Sequence, residues 1–225
     1  METKGRETNN QKVYKDEVDI NINILPGDRN GSPDESYFTF VLIDGAFLSK
    51  LSKFFGDGRF LIYDISKFSE NLASKEKLKC SKIFYYTAPP FQSNKPTKEE
   101  EIRKEGYDKF VKKLKQRGII VREGRCQRLQ INNKEEFHQK AVDILLAMDM
   151  MNVPLKYKNI KKIILIASDS DFVPIIKNLE KNNVKTILYT FYQKKRNVAF
   201  SRSNHLIKAV SKYQLLTKED FNFPI

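Results

Sequence analysis

Ile163-Ile-Leu-Ile-Ala-Ser-Asp-Ser-Asp-Phe172 is an apolar run that ends in two carboxylates one residue apart. Residues 163–167 have the length of a strand and are apolar on both faces, as a strand inside a parallel sheet requires. Asp169 and Asp171 fall where that strand stops and a helix begins, and Pro174 suits the first turn of such a helix. A second run, Phe38-Thr-Phe-Val-Leu-Ile-Asp44, also closes on an acid and is followed by Gly45.

Between these runs strand and helix signals alternate. Strands are expected at 38–43, 83–88, 119–121, 163–167 and 184–189, and helices at 46–55, 64–72, 99–116, 133–151 and 171–181. A hairpin through Leu129 and Ile131 could extend the third strand, and Asn133-Lys-Glu-Glu136 reads as a helix start. Gly118 suits a helix stop. Short helical segments near 203–211 and 217–221 finish the chain. Strands separated by helices of this length pair in parallel through right-handed crossovers. The expected architecture is therefore a three-layer α/β/α sandwich around a mainly parallel sheet. Residues 1–35 are polar and read as a tail or arm, in which Val18–Leu25 alternates like an edge strand. Residues 36–225 form the domain.

In such sheets ligands bind beyond the carboxyl ends of the strands, at a switch point in strand order. Asp44 and Asp169 meet there if their strands are neighbours. Asp143 lies in Ala141-Val-Asp-Ile-Leu-Leu-Ala-Met-Asp-Met-Met151, a helix that reads as apolar on most faces. An ionised carboxylate on a buried helix costs several kcal/mol unless it is paired or binds metal. Its plain alternative is an ion pair with Lys140. Capping is the alternative for Asp169 or Asp171, and a turn at Asp44-Gly45 for Asp44. Asp149 falls on another face and reads as solvated or structural. Taken together, Asp44, Asp143, Asp169 and Asp171 offer the hard oxygen ligands that Mg²⁺ or Mn²⁺ prefers. Two such ions would activate water and stabilise the leaving oxygen of a phosphodiester.

The chain has 225 residues with 41 Lys and Arg against 28 Asp and Glu, a net charge of +13, which favours a polyanionic partner. A Lys-rich composition is the bland reading of the same excess. No apolar run is long enough to span a membrane as a helix. The polar N-terminus lacks a signal-peptide core. Cys80 and Cys126 fit neither a zinc motif nor a disulfide framework. A cytoplasmic location is expected, and a homodimer is allowed. Glycine-rich phosphate loops and Gly-x-Ser-x-Gly elbows are missing from the sequence, which weighs against NTPase and serine-hydrolase chemistry.

The order of motifs resembles the NYN domain family, also described as LabA-like or DUF88, within the PIN-like nuclease superfamily. The resemblance rests on Ile43-Asp-Gly-Ala46, on Lys140-Ala-Val-Asp-Ile-Leu-Leu-Ala-Met-Asp149, and on Ser168-Asp-Ser-Asp-Phe172. Tyr85-Tyr86 and Ser201–Leu206 add to it. It covers roughly residues 37–215 and implies a PIN-like Rossmannoid fold with a metal-dependent ribonuclease site at Asp44, Asp143, Asp169 and Asp171. Phe47 stands where many members have Asn, and Ser168 where Gly is more frequent.

For RNA, the sequence offers Lys194, Lys195 and Arg196 beside the Val184–Tyr189 strand, with Lys140 and a second basic group of Arg122, Arg125 and Arg128. Phe191, Tyr192, Tyr85 and Tyr86 are candidate stacking residues, which favours single-stranded RNA. Two rivals to an endoribonuclease are a non-catalytic RNA-binding or regulatory module and a small-molecule phosphoesterase.

Overall fold

The computed structural model describes residues 37–131, 134–194 and 200–223. The expected arm at 1–35, with its Val18–Leu25 strand, lies outside them, as do Lys195 and Arg196. The first half comprises β1 (Phe38–Asp44), α1 (Gly45–Phe55), α2 (Ile65–Lys75), β2 (Lys79–Thr87), α3 (Lys98–Gln116) and β3 (Ile120–Glu123). A hairpin of β4 (Arg125–Ile131) and β5 (Lys134–Lys140) follows. Then come α4 (Val142–Lys156), β6 (Lys162–Ile166), α5 (Val173–Lys181), β7 (Lys185–Thr190), α6 (Asn204–Ala209) and β8 (Lys212–Leu215). Single 3-10 turns occupy Ser170–Phe172 and Lys218–Phe221.

Six strands form one parallel sheet in the order β3-β2-β1-β6-β7-β8. Chain order runs outward in opposite directions from β1 and β6, so the switch point lies between these two central strands. Ile43 pairs with Ile166, which places Asp44 beside the first residue after β6. Alternate residues of each strand serve two cores. Val41, Ile43 and Tyr85 face α1, α2 and the end of α3, whereas Leu42, Tyr86 and Leu165 face α4, α5 and α6. The two buried layers on opposite faces make the α/β/α sandwich.

Side-chain caps set the helix starts. Asp44 accepts from the N–H groups of Ala46 and Phe47, Asp64 from those of Ser66 and Lys67, and Thr97 forms a capping box with Glu100. Each cap satisfies otherwise orphaned donors. Gly118, at φ 75°, follows α3 in the left-handed region that ends helices. Gly45 answers a different need. A Cβ there would sit 2.5 Å from the Tyr86 carbonyl oxygen and 2.7 Å from the Tyr85 ring. The Asp-Gly pair is therefore a cap followed by a close approach of α1 to β2, not a turn.

Three expectations need correction. Residues 134–140 are strand β5, paired antiparallel with β4, and the helix starts only at Val142. The Asn-Lys-Glu-Glu start signal loses to cross-strand pairing along the whole hairpin. Strand β8, over Lys212–Leu215, follows α6 where no strand was expected. It is held by Lys212 Nζ donating to Glu76 Oε2 at 2.6 Å, while Lys75 pairs with Asp220 close by. Finally, α4 is not buried on most faces: Ile144, Met148, Met151 and Leu155 are exposed. Among the described residues no helix is long and apolar enough to cross a membrane.

Candidate active site at the carboxyl edge of the sheet

Asp44 ends β1, Asp169 and Asp171 follow β6, and Asp143 lies in the first turn of α4. Three different elements thus bring four acids to one edge of the sheet. Asp44 is partly buried, and its carboxyl is pushed up to about 6. Burial is the largest cause, offset by the hydrogen bonds from Phe47 and Ala46 and reinforced by the charges of Asp143 and Asp169. Asp143 is raised by partial desolvation and then by the charges of Asp169 and Asp171. Asp44 and Asp143 therefore feel the acids around them, which makes ionising either of them more costly.

Among the described residues no cation forms an ion pair with any of the four. Asp44 Oδ1 takes both capping bonds, and no described donor reaches Oδ2. Asp169 Oδ1 accepts from Asp171 N at 2.9 Å, a local cap that leaves Asp171 without a capping task. Asp143 and its neighbour Lys140 belong to different elements, because Lys140 ends β5 and is exposed. Ala141 joins the two at φ 68°, a left-handed conformation costly for a side-chain-bearing residue. It gives α4 no side-chain cap and sets the direction in which Asp143 leaves the hairpin.

Among the described residues no three acidic, histidine or cysteine side chains are gathered closely enough to hold a metal ion between them. An open, acid-lined edge suits Mg²⁺ or Mn²⁺, because Mg²⁺ usually keeps several waters and takes only one or two carboxylates plus substrate phosphate oxygens. The donor set is oxygen only, which disfavours softer metals.

Beside these acids lies a cleft of about 500 Å³ lined by Asp44, Phe47, Lys50, Ser168, Asp169 and Arg202, among others. Lys50 Nζ sits 5.0 Å from the centre of the Phe200 ring, and the Arg202 guanidinium 5.1 Å from that of Tyr192. Phe47 is buried and packs edge-on against Phe200 at 6.3 Å. It builds the wall that carries Ser201, Arg202 and Ser203 into the cleft. Sequence reasoning missed Lys50 and Arg202. Lys50 lies one helical turn beyond Ala46, a spacing that marks the same face of α1, and Arg202 falls inside the Ser201–Leu206 motif.

Several RNA candidates occupy other positions than expected. Tyr85 is 3% exposed and Tyr86 0%, so neither presents a ring face to a base. Phe191 is enclosed by Phe54, Phe55 and Phe200. Arg122 is not a phosphate ligand: its Nε and Nη2 donate to Asp149 at 2.9 and 3.0 Å, and Tyr86 Oη donates to the same carboxylate at 3.0 Å. This network ties β3, β2 and α4 together, so Asp149 is structural. Arg128 pairs with Glu135 and covers Phe91. Lys194, exposed just beyond β7, does lie on the carboxyl edge. Arg122→Met should lower stability by about 2 kcal/mol, because it strands a largely buried carboxylate. Urea unfolding measures this, and Arg122→Lys should recover only part of the loss.

The switch-point sheet with acids at its carboxyl edge defines a PIN-like α/β/α domain. The chain belongs to the NYN domain family, whose model matches residues 38–215. That family is one of PIN-like nucleases, which gives the protein a nuclease or RNA-related role. In fold the chain is similar to the crystal structure of a protein of unknown function from Vibrio parahaemolyticus, with a TM-score of 0.55 at 16% identity. That match covers 85% of this chain and 99% of the other. Among curated proteins none matches the chain.

Proposed function

We propose that the protein is a Mg²⁺- or Mn²⁺-dependent endoribonuclease that hydrolyses single-stranded RNA. The observation that carries this reading is the convergence of Asp44, Asp143, Asp169 and Asp171, with Asp44 raised to about 6 and no described cation paired to them. A divalent ion held by Asp44 and Asp169, with Asp143 and Asp171 around it, would activate water and stabilise the leaving oxygen. The protein's own groups do the rest. Lys50 and Arg202 take non-bridging oxygens of the scissile phosphate and hold phosphorus over the acids. Lys140 and Lys194 take flanking phosphates, a task also proposed from sequence for Lys195 and Arg196. Ionised Asp44 is required, so activity should fall as pH drops through about 6 in weakly metal-saturated enzyme.

The test is incubation of an end-labelled single-stranded RNA with Mn²⁺. Cleavage that EDTA abolishes, yielding 5′-phosphate and 3′-hydroxyl ends, is expected. Cleavage that persists in EDTA, or none at all, contradicts the proposal. RNA retention without turnover would favour the non-catalytic binding module, and turnover of phosphate monoesters alone would favour the phosphoesterase. Lys50→Met and Arg202→Met should each reduce kcat/KM by about tenfold or more, as expected for one lost phosphate donor. Steady-state kinetics at fixed ionic strength checks this.

A further inference from the structure

On the other flank of α1 from the acid-lined cleft lies a second, more apolar one of about 790 Å³. Phe60 and Ile62 of the loop before α2, Phe110 of α3 and Phe137 of β5 form its walls, and Arg103 and Gln139 stand in its lining. Burial does not explain these side chains. Ile62 is 80% exposed, Phe60 63% and Phe137 50%. Large apolar groups left facing water around one concavity mark a binding site rather than a core. The floor includes Tyr85, whose hydroxyl lies 3.5 Å from Ser49 Oγ. Tyr85 pairs in register with Ile43, one residue before Asp44. The cleft floor therefore lies beside the end of β1 that carries Asp44, with α1 between the two clefts.

We infer that this cleft receives one or two unpaired nucleobases of the RNA strand whose phosphate lies at Asp44 and Asp169; the inference rests on the nuclease reading. Three features select a base over other occupants. Three of the wall residues, Phe60, Phe110 and Phe137, are aromatic rings of the kind on which any base stacks. The one formal charge among the described lining residues is the cation of Arg103, placed to meet a neighbouring phosphate or a base face. Gln139 offers an amide that can hydrogen-bond a base edge. The volume lies in the range of pockets for molecules of nucleotide size. A duplex keeps its bases stacked inside and cannot fill the cleft, so the subsite would itself impose single-strand selectivity. It also gives the β4–β5 hairpin a task, since Phe137 and Gln139 bring β5 to the cleft.

The test is RNA binding in EDTA, which reads the subsite whether or not the acids cleave. The probes are a fluorescein-labelled octamer of uridine and a series of octamers with one abasic ribose moved along the strand. Phe60→Ala and Phe137→Ala alter exposed side chains, and thermal melts verify that they fold. Each should raise Kd for the intact octamer about tenfold or more, the effect of one lost stacking partner. The penalty should vanish for the octamer whose abasic position falls in the cleft. Unchanged Kd values in both variants, or an equal loss at every abasic position, would overturn the inference. Failure of the nuclease reading has a separate signature: base-dependent binding in EDTA with no cleavage when Mn²⁺ is added.

Discussion

Asp169→Asn is expected to reduce Mn²⁺-dependent RNA cleavage about 10³-fold, the scale of losing charge stabilisation worth several kcal/mol in the transition state. The substitution isolates charge from structure. Asp169 is exposed, and its one described structural task is to accept from Asp171 N. Asparagine keeps that acceptor and is itself a strong cap, so the 3-10 turn and the α5 start should survive. The thermal transition of metal-free protein should therefore move by no more than a degree or two, while added Mn²⁺ should stabilise the variant much less than the wild type. Cleavage by the variant at the wild-type rate would remove Asp169 from the site.

Asp44→Asn is expected to abolish activity to a similar degree and to stabilise the metal-free protein. The sign follows from linkage. Asp44 has its carboxyl raised from 3.8 to about 6 in the folded chain, so between those values the native state binds more protons than the unfolded one. Native stability therefore rises as pH falls through about 6 and gains nothing more below about 4. Above pH 6 the folded protein carries an ionised group it holds at a disadvantage. Asparagine removes that cost while still capping α1 through its carbonyl. With allowance for solvent screening, the gain should be about 1–2 kcal/mol at pH 7. It should disappear near pH 4, where wild-type Asp44 is protonated. Urea unfolding across pH 4–7 in EDTA measures both. With saturating Mn²⁺ the order should reverse, because about 2.7 kcal/mol accrues to the state that binds an ion at 100 times its Kd.

Much of the fold was legible because its central strands are short, apolar on both faces and separated by helices, several of which begin at side-chain caps. The two runs ending at Asp44 and Ala167 marked the central pair, and their adjacency supplied the switch point. Strand β5 was not legible. Its Lys-Glu-Glu-Phe-His-Gln-Lys sequence is polar, and its pairing partner lies in the hairpin rather than in any local periodicity. Strand β8 is exposed throughout and carries no apolar alternation strong enough to announce it.

At the candidate site, Asp44, Asp169 and Asp171 stand at strand ends as their sequence positions suggest, whereas Asp143 is not on a buried helix. Its helix turns an exposed row of Ile144, Met148, Met151 and Leu155 to solvent, so Asp143 does not bear the full cost of burial. Its perturbation comes from partial desolvation and then from its acidic neighbours. Tyr85 and Tyr86 illustrate a related limit. Adjacent tyrosines at a strand end look like stacking groups, yet strand alternation sends one into each core. Arg122 looked like a phosphate ligand because nothing local marks Asp149, 27 residues away, as its partner. Lys50 and Arg202 needed the closing of α1 against the segment after β7, which is a tertiary fact.

In the proposed mechanism Asp44 and Asp169 share a divalent cation. The most direct measurement is anomalous diffraction at the manganese edge from crystals of the wild type and of Asp44→Asn soaked in Mn²⁺. An ion within coordination distance of both Asp44 and Asp169 in the wild type, lost in the variant, is the predicted result. Manganese bound elsewhere, or bound equally in Asp44→Asn, would rule out a cation shared by these two residues.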